Sequence, residues 1–430
     1  MDILLVNAQL KVLTRHASAS PPLGLAYIAS VLLDNGYDVS AIDFNISGFN
    51  PLRTKRVLER DNPRIVGIST HTKTYSNGLR IAEIAKQVVP EVKVVMGGPH
   101  ATVMYKEVLR EESIDVVVRG EGEYTMLELA DYLIRNKGSL AETKGIAYKE
   151  DGTVKTTLER PFIENPDELP FPAVELFPMN FYLTTGQVLM SRGGCPFNCR
   201  FCAVNNIWKG RRRFRSPENV VKEILYIFNN FQPEAITFVD DTFTLNRDQV
   251  IRLCSLLKQI SKSFPWHWLC ATRVDLIDRE LLQKMYEAGC SSITFGVEAG
   301  SQEILDSICK GITLEQVRNA VAMTIDIGME TNCAFMFPHP GDTEETIVVQ
   351  KRFMKELLNM GAKVNINATV PYPGTYYYEH ADELGINFLV DSWDEYEDGR
   401  LMITTRHLSE RKLKYLVEDL VQDLGMEFSG

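Results

Sequence analysis

The 430-residue chain has no run of about 18 uncharged apolar residues, so no membrane-spanning helix is expected. It has no basic lead-in to a long apolar core either. "MDILLVNAQL" is too short and wrongly flanked for a signal peptide, and export is not expected. A surplus of positive charge is lacking: with 46 Lys and Arg against 57 Asp and Glu, a net charge of −11, the chain lacks the basic footprint of a general nucleic-acid binder, and no nucleic-acid partner is expected. Low-complexity tracts and long internal repeats are absent. No cysteine precedes Cys195, and the eight present carry no disulfide-framework spacing. Without an export signal, reduced thiols in a cytoplasm are the natural reading.

What is present is alternation. Over residues 1–160 the β-branched runs "DILLVN", "VSAIDF", "IVGIST", "KVVMGG" and "DVVVRG" are apolar nearly throughout, as in strands covered on both faces. Helical spacing fills the gaps in "LGLAYIASVLLDNG", "SNGLRIAEIAKQVV" and "YTMLELADYLIRN". This predicts an α/β, Rossmann-like, doubly wound parallel sheet. "GIAYKEDGTVKTT" predicts a hairpin turning at Asp151-Gly152. Residues 161–184 form a strap with Pro161, Pro166, Pro170, Pro172 and Pro178, which reads as a linker at a domain junction.

A second alternating series spans 185–375. Its strands are "QVLM", "AITFVD", "WLCATRV", "SITFGVE", "NCAFMF" and "VNINATV". Six βα units are fewer than the eight of a closed barrel, so a partial, open (β/α)6 barrel is expected, with function on the loops leaving the strands' C-terminal ends. Residues 376–430 are too few for an independent domain and read as a C-terminal cap.

The loop after the first strand of this series, "SRGGCPFNCRFC", holds Cys195, Cys199 and Cys202 in the pattern C-x3-C-x2-C. Three thiolates suit an iron–sulfur cube, which usually takes four; the fourth iron stays open for a small ligand. Glycines at 193 and 194 let the backbone approach closely, and Arg200 offsets negative charge. A zinc site would need a further ligand, yet no C-x2-C partner or His pair has finger-like spacing.

This pattern, after the first strand of a half-barrel, resembles the radical S-adenosylmethionine (SAM) superfamily. The later strand ends match in order: "FVDDTF" (Asp240, Asp241), "ATRVD" (Arg273), "FGVEAGSQEIL" (Glu298, Ser301), "FMFPHPGDTEET" and "VPYPGT" (Pro371). The resemblance implies a [4Fe-4S] cluster on the three cysteines, with SAM chelated to the open iron. It places Phe201, Asp240, Arg273, Glu298, Ser301 and Pro371 around SAM. It also implies one-electron supply by a flavodoxin- or ferredoxin-type donor and cleavage of SAM to a 5′-deoxyadenosyl radical.

The first half resembles the cobalamin-binding domain of the B12-binding members of that superfamily. Matching stretches are "PPLGLAYIASVL", "IVGIST", "VVMGGPHAT" and "VVVRGEGE". Strand ends feeding glycine turns make a crevice where such a cofactor lies. The resemblance puts Asp43, Asn45, Ser69, Thr70, His71, Gly97, Gly98, Glu121 and Gly122 around cobalamin. It also shows a departure. Where many such domains carry D-x-H-x-x-G, "DFNISG" has Asn45. A carboxamide is a poor cobalt ligand, so cobalt ligation by residue 45 is not expected. The lower face would be open, hold water, or be packed by the loop Ser69 to Tyr75; His71 is the rival ligand there but reads better as a surface or hydrogen-bonded histidine.

The implied reaction is cobalamin-dependent methylation of an unactivated carbon in a small metabolite. The rival is a non-methylating radical enzyme acting on a sugar or nucleoside. A methylthiotransferase is disfavoured by the missing N-terminal cysteines, and a simple electron carrier by the open iron. No catalytic residue is assigned. "WKGRRRFRSPENV" reads as a solvated loop capped by Ser216 and Pro217, the rival being a phosphate contact. Cys254, Cys270, Cys290, Cys309 and Cys333 read as buried, inert thiols. Trp266 and Trp268 read as packing, and His339 and His380 as hydrogen-bonded polar residues near rim loops.

Overall fold

The structure is a computed structural model, and it describes residues 1–10, 20–182, 185–260, 266–396, 400–425 and 428–429. Residues 183–184 of the strap, and Phe264 and Pro265 before the tryptophans, lie outside the described residues. The chain divides into two compact units, Met1–Leu183 with Ser392–Glu395, and Thr184–Asp391 with Tyr396–Gly430.

The first unit holds a seven-stranded sheet. Its strands are β1 (Ile3–Asn7), β2 (Val39–Asp43), β3 (Ile65–Ser69), β4 (Lys93–Gly97), β5 (Val116–Val118), β6 (Ile146–Glu150) and β7 (Thr153–Thr156). The order is β2-β1-β3-β4-β5-β6-β7, with β1 to β5 parallel and the β6–β7 hairpin antiparallel on the edge. The five parallel strands are those expected, and β-branched residues fill them because helices cover both faces. Val6, Val66, Ile68, Val94 and Val117 are all within 2% of full burial. Each such side chain contributes roughly 2 kcal/mol by leaving water. The hairpin turns where the sequence indicated: Asp151 (φ 50°) and Gly152 (φ 72°) take the paired positive angles of a tight turn.

The proline strap is not a free linker. Its described part is built into the first unit. Ile163, Leu169, Ala173, Val174, Phe177 and Tyr182 are buried. The Ala173 N–H donates to the Ala26 carbonyl (3.0 Å), and the Ile163 N–H to Glu121 Oε2 (2.8 Å). Prolines stop the strap from pairing as a strand, so it docks by side chains and single hydrogen bonds. A short segment from far along the chain also belongs here. Trp393 Nε1 donates to Glu107 Oε1 (2.6 Å), and its ring lies 5.1 Å from that of His100.

The second unit holds β8 (Thr185–Val188), a ribbon of β9 (Ser191–Gly193) and β10 (Arg212–Phe214), then β11 (Ala235–Phe238), β12 (His267–Thr272), β13 (Cys290–Glu298), β14 (Glu330–Phe337) and β15 (Lys363–Ala368). A small pair, β16 (Asn387–Phe388) and β17 (Ile403–Thr404), and a last strand, β18 (Phe428–Ser429), follow. The main sheet runs β18-β15-β14-β13-β12-β11-β8, all parallel and not closed on itself. The six expected strands are present; β18 is added. The two-residue β18 and the three-residue ribbon strands are too short to leave a periodic signal. Trp268 is fully buried and donates from Nε1 to the Ala288 carbonyl (2.9 Å), a packing role as read. The helix Glu410–Leu424 lies on Glu344–Asn359, where Lys351 meets Asp419 at 2.7 Å and Asp423 at 2.5 Å.

His100 is 2% exposed, and burial, helped by nearby His71, pushes its imidazole down to about 4. The unfolded chain therefore binds a proton between pH 6.5 and about 4 that the folded chain refuses, so stability falls as pH falls through that window. The cost approaches about 3 kcal/mol at pH 4. Denaturant titrations of wild type and H100Q at pH 7 and pH 4.5 should show the wild type losing more stability; equal losses would contradict this.

Candidate functional site

In the second unit the site grows from a buried carboxylate. Asp240, at the end of β11, is 5% exposed. Its Oδ2 accepts from the Met190 N–H (2.9 Å), and its Oδ1 from the Ser191 N–H (2.6 Å) and Ser191 Oγ (2.5 Å). Both oxygens thus hold the start of β9, the strand that delivers the cysteine loop. The structure thus gives Asp240, expected near SAM, a hold on the loop's entry.

The ribbon closes the loop from the other side. Gly193 pairs with Arg212, and the Gly194 N–H donates to the Arg211 carbonyl (2.8 Å). At Gly193, φ is 100° and a Cβ would stand 2.4 Å from that carbonyl, so only glycine fits. Cys195, Cys199 and Cys202 then occupy one half-buried turn, tied by the Cys202 N–H to the Cys199 carbonyl (3.1 Å). Cys195 Sγ lies 3.6 Å from Thr242 Oγ1. Among the described residues, no three His, Cys, Asp or Glu side chains converge as a single-ion site. A lone zinc ion would need thiolates roughly 3.8 Å apart.

Burial holds two of the thiols in the neutral form. Burial pushes Cys199 up, against the pull of Lys310 and Arg273, and pushes Cys202 up to about 11. Neutral at pH 7, they release protons when a cationic centre arrives. Arg273 Cζ lies 3.5 Å from the Phe197 ring centre, inside the cysteine loop. Arg273 is held by two bonds to Asp275, both 2.9 Å, and donates to the Lys310 carbonyl (2.8 Å).

Glu298 ends β13 at φ 72°, the left-handed region that a non-glycine residue enters only under constraint. Two neighbours supply that constraint. Lys310 Nζ donates to Glu298 Oε1 (2.9 Å), and His339 Nε2 lies 3.3 Å from the Glu298 carbonyl. A carbonyl only accepts, so Nε2 carries the proton and Nδ1 accepts from Tyr377 Oη (3.0 Å). The Tyr377 N–H in turn donates to the Arg200 carbonyl, back in the cysteine loop (3.3 Å). Phe201 sits 6.1 Å from the His339 ring and 6.0 Å from Lys310 Nζ. Ser301 is buried ahead of the helix Gln302–Ser307, and Pro371 is buried on the loop after β15. Sequence reasoning passed over Lys310; its signal was a lone cation between two helical stretches, which carries no motif. Cys254, Cys270, Cys290 and Cys333 are buried as expected, but Cys309 is exposed. His380 stacks on Tyr376 at 4.0 Å.

The first unit gathers its predicted residues at the carboxyl edge of β2 to β5. Asp43 is 2% exposed and caps a short helix through the Asn45 N–H (2.9 Å), while Tyr182 Oη donates to its Oδ2 (2.9 Å). Asn45 Oδ1 accepts from the Leu10 N–H (2.8 Å), so its carboxamide is engaged by backbone. His71 is exposed, with its N–H donating to Thr74 Oγ1 (2.9 Å). Thr70 is fully buried against Gly97 and Gly98; at Gly98 (φ 95°) a Cβ would come within 2.5 Å of the Thr70 carbonyl. Glu121 holds the strap, and a Cβ on Gly122 would meet Ile28 at 2.7 Å. Beside this edge His100 Nε2 and Tyr75 Oη are buried without a hydrogen-bond partner among the described residues, their rings 4.4 Å apart. Such orphaned atoms suit an amide-fringed ligand, which could satisfy both.

Two family models match: the radical SAM superfamily over residues 191–354 and the B12 binding domain over residues 11–130. An uncharacterised methyltransferase of Pyrococcus horikoshii is 35% identical over 405 residues, covering 93% of this chain and 86% of that protein. The chain belongs to the cobalamin-binding radical SAM family. An anaerobic magnesium-protoporphyrin IX monomethyl ester cyclase of Rubrivivax gelatinosus is 32% identical, over 76% of this chain and 60% of that protein. The fold matches the radical SAM methyltransferase TsrM from Kitasatospora setae, with cobalamin and a [4Fe-4S] cluster bound. There the TM-score is 0.78 at 16% identity, over 99% of this chain and 89% of that one. The family's cofactors are a [4Fe-4S] cluster, SAM and cobalamin, and the residues above fit them.

Two measurements check the site. Cys199→Ala should lose cluster iron and reductive SAM cleavage while staying soluble; retained cleavage would overturn the assignment. Lys310→Met leaves the Glu298 carboxylate buried without its cation and should cost about 3 kcal/mol, which Glu298→Gln in the same chain should largely restore. Denaturant unfolding of the single and double variants decides this.

Proposed function

We propose that this protein is a cobalamin-dependent radical SAM methyltransferase acting on an unactivated carbon of a small metabolite. The observation that carries the reading is a half-buried three-thiol C-x3-C-x2-C loop on a partial barrel whose chain also holds a B12-type unit. When bound, the cofactors supply the radical and the methyl group. The chain's own residues bind and orient. Cys195, Cys199 and Cys202 hold the cluster, and their number leaves one iron for SAM. Asp240 fixes the loop's entry, while the Lys310–Glu298 pair and Arg273 present polar groups to SAM beside Phe201. Such positioning turns reactive encounters into near-unimolecular ones. In the first unit, Asp43 and Gly98 shape the edge, His100 and Tyr75 offer polar atoms, and Asn45 does not ligate cobalt.

No helix among the described residues is long and apolar enough to cross a membrane. With reduced thiols and an oxygen-sensitive cluster, a cytoplasmic setting and a small-molecule substrate complete the proposal. A second reading, radical chemistry without methyl transfer, is favoured by one fact, the likeness to the cyclase.

Anaerobic reconstitution with iron, sulfide and hydroxocobalamin, followed by product analysis, tests both. Methyl transfer should give S-adenosylhomocysteine together with 5′-deoxyadenosine; 5′-deoxyadenosine alone would favour the second reading. Asn45→Ala should leave the spectrum of bound cobalamin unchanged, and a shift of the corrin bands would show that residue 45 reaches cobalt.

A further inference from the structure

Burial alternates along β13, β14 and β15. Phe295, Val297, Cys333, Phe335, Val364 and Ile366 are buried, and the helices Leu314–Ile327 and Glu344–Asn359 pack on β14 and β15. The residues between them point the other way, into the lumen of the partial barrel. Gly296, Asn332, Ala334, Met336, Asn365 and Asn367 are of this set, and none of them is buried. A closed barrel fills its interior with bulky branched side chains; this lumen is lined by small and uncharged polar ones.

The register sets Gly296, Ala334 and Asn365 in one row. Two strand spacings put Asn365 about 10 Å across from Gly296, with only a methyl group between. The row begins at the site already described: a Cβ on Gly296 would meet Glu298 Oε1 at 2.6 Å and Lys310 Nζ at 3.1 Å. At the lower end the polar groups are spent on one another. Asn332 Nδ2 donates to Ser292 Oγ (3.0 Å), and Lys363 pairs with Glu330 (2.6 Å). Higher on β15 they are not. The Asn365 carboxamide is exposed and has no partner among the described residues, and Asn367 engages only Nδ2, on the Phe335 carbonyl (3.4 Å). The Thr369 N–H donates to the Phe337 carbonyl (3.0 Å), which carries the ladder and its alternation one residue past β15. Thr369 thus shares the face of the two asparagines. It is 1% exposed, and its Oγ1 has no hydrogen-bond partner among the described residues. A hydroxyl buried in that way costs free energy that a ligand recovers.

We propose that Asn365, Asn367 and Thr369 are the substrate-selecting face of the lumen, and that they take an uncharged, hydroxyl-bearing molecule. The proposal rests on the function proposed above and names the substrate class of that enzyme. A carboxamide and a threonine hydroxyl each donate and accept, as a substrate hydroxyl does. Three such groups at alternate positions, roughly 7 Å apart, match hydroxyls spread along a ring or chain. The cation on this face of β15, Lys363, is already paired, so the face offers nothing to offset a phosphate or carboxylate. An apolar polycycle would strand the three polar groups without partners.

The test uses the reconstituted full-length protein, with hydroxocobalamin bound and SAM in excess so that the cofactors' own sites are filled. Three probes share one shape: methyl β-D-ribofuranoside, ribose 5-phosphate and cyclopentyl methyl ether. In saturation-transfer NMR titrations the riboside should bind at least about tenfold more tightly than either of the others, the worth of one or two hydrogen bonds. Asn365→Leu and Asn367→Leu should each weaken the riboside about tenfold and leave the ether no weaker. Thr369→Val keeps the shape and removes the orphaned hydroxyl. It should raise the Tm of the probe-free protein and shrink the further rise that the riboside brings, a pair of changes that a purely structural threonine would not give. That variant decides the matter if a leucine variant misfolds. Tighter binding of the phosphate or the ether, equal riboside binding by wild type and variants, or no riboside binding by wild type overturns the proposal. Wild-type protein that takes up no iron would instead sink the function proposed above, with the riboside titration of the same protein still scoring the lumen.

Discussion

Burying the thiols of the cysteine loop beside fixed cations is the constraint on which the second unit depends. Desolvation favours the neutral form of Cys199 and Cys202, so the loop is unfavourable for charge until a cationic centre joins it. The surroundings offset part of that cost in advance. Arg273 and Lys310 favour the Cys199 thiolate, and each is itself held by a carboxylate, Asp275 and Glu298. The cations are thus fixed in place and cannot swing out to water. A loop with three flexible thiols and no buried cations would bind metal with less selectivity and more loss of order.

Positioning is shared among parts distant in sequence. Asp240 holds the strand that enters the loop, the ribbon partner at Arg211 closes it, and Tyr377 reaches Arg200 from more than 170 residues away. His339 joins this frame to the strained backbone of Glu298. Each contact is an ordinary hydrogen bond worth about 1 kcal/mol. Together they leave the loop few alternatives, which is what alignment of a reactive radical requires.

The first unit solves a different problem, packing turns closely at a sheet edge. Gly98 lets the turn after β4 press against Thr70 without side-chain obstruction, and Asp43 folds the stretch after β2 into a cap. Asn45 spends its carboxamide oxygen on the Leu10 N–H, so the place that elsewhere carries a ligand histidine here stabilises the loop itself. His100 and Tyr75 are pressed together there, each with a buried polar atom that has no hydrogen-bond partner among the described residues.

Sequence alone determined the two α/β units, the parallel strands of both sheets apart from β18, the Asp151-Gly152 turn and the C-x3-C-x2-C spacing of Cys195, Cys199 and Cys202. Those features are local: periodicity, turn chemistry and close spacing are written in adjacent residues. Tertiary structure decided the rest. It made Asp240 the anchor of the cysteine strand, made Lys310 and His339 partners of Glu298, built the strap into the first unit and exposed Cys309. Each depends on which side chains meet across strands far apart in the chain, and desolvation and hydrogen-bond geometry exist only once those neighbours are in place.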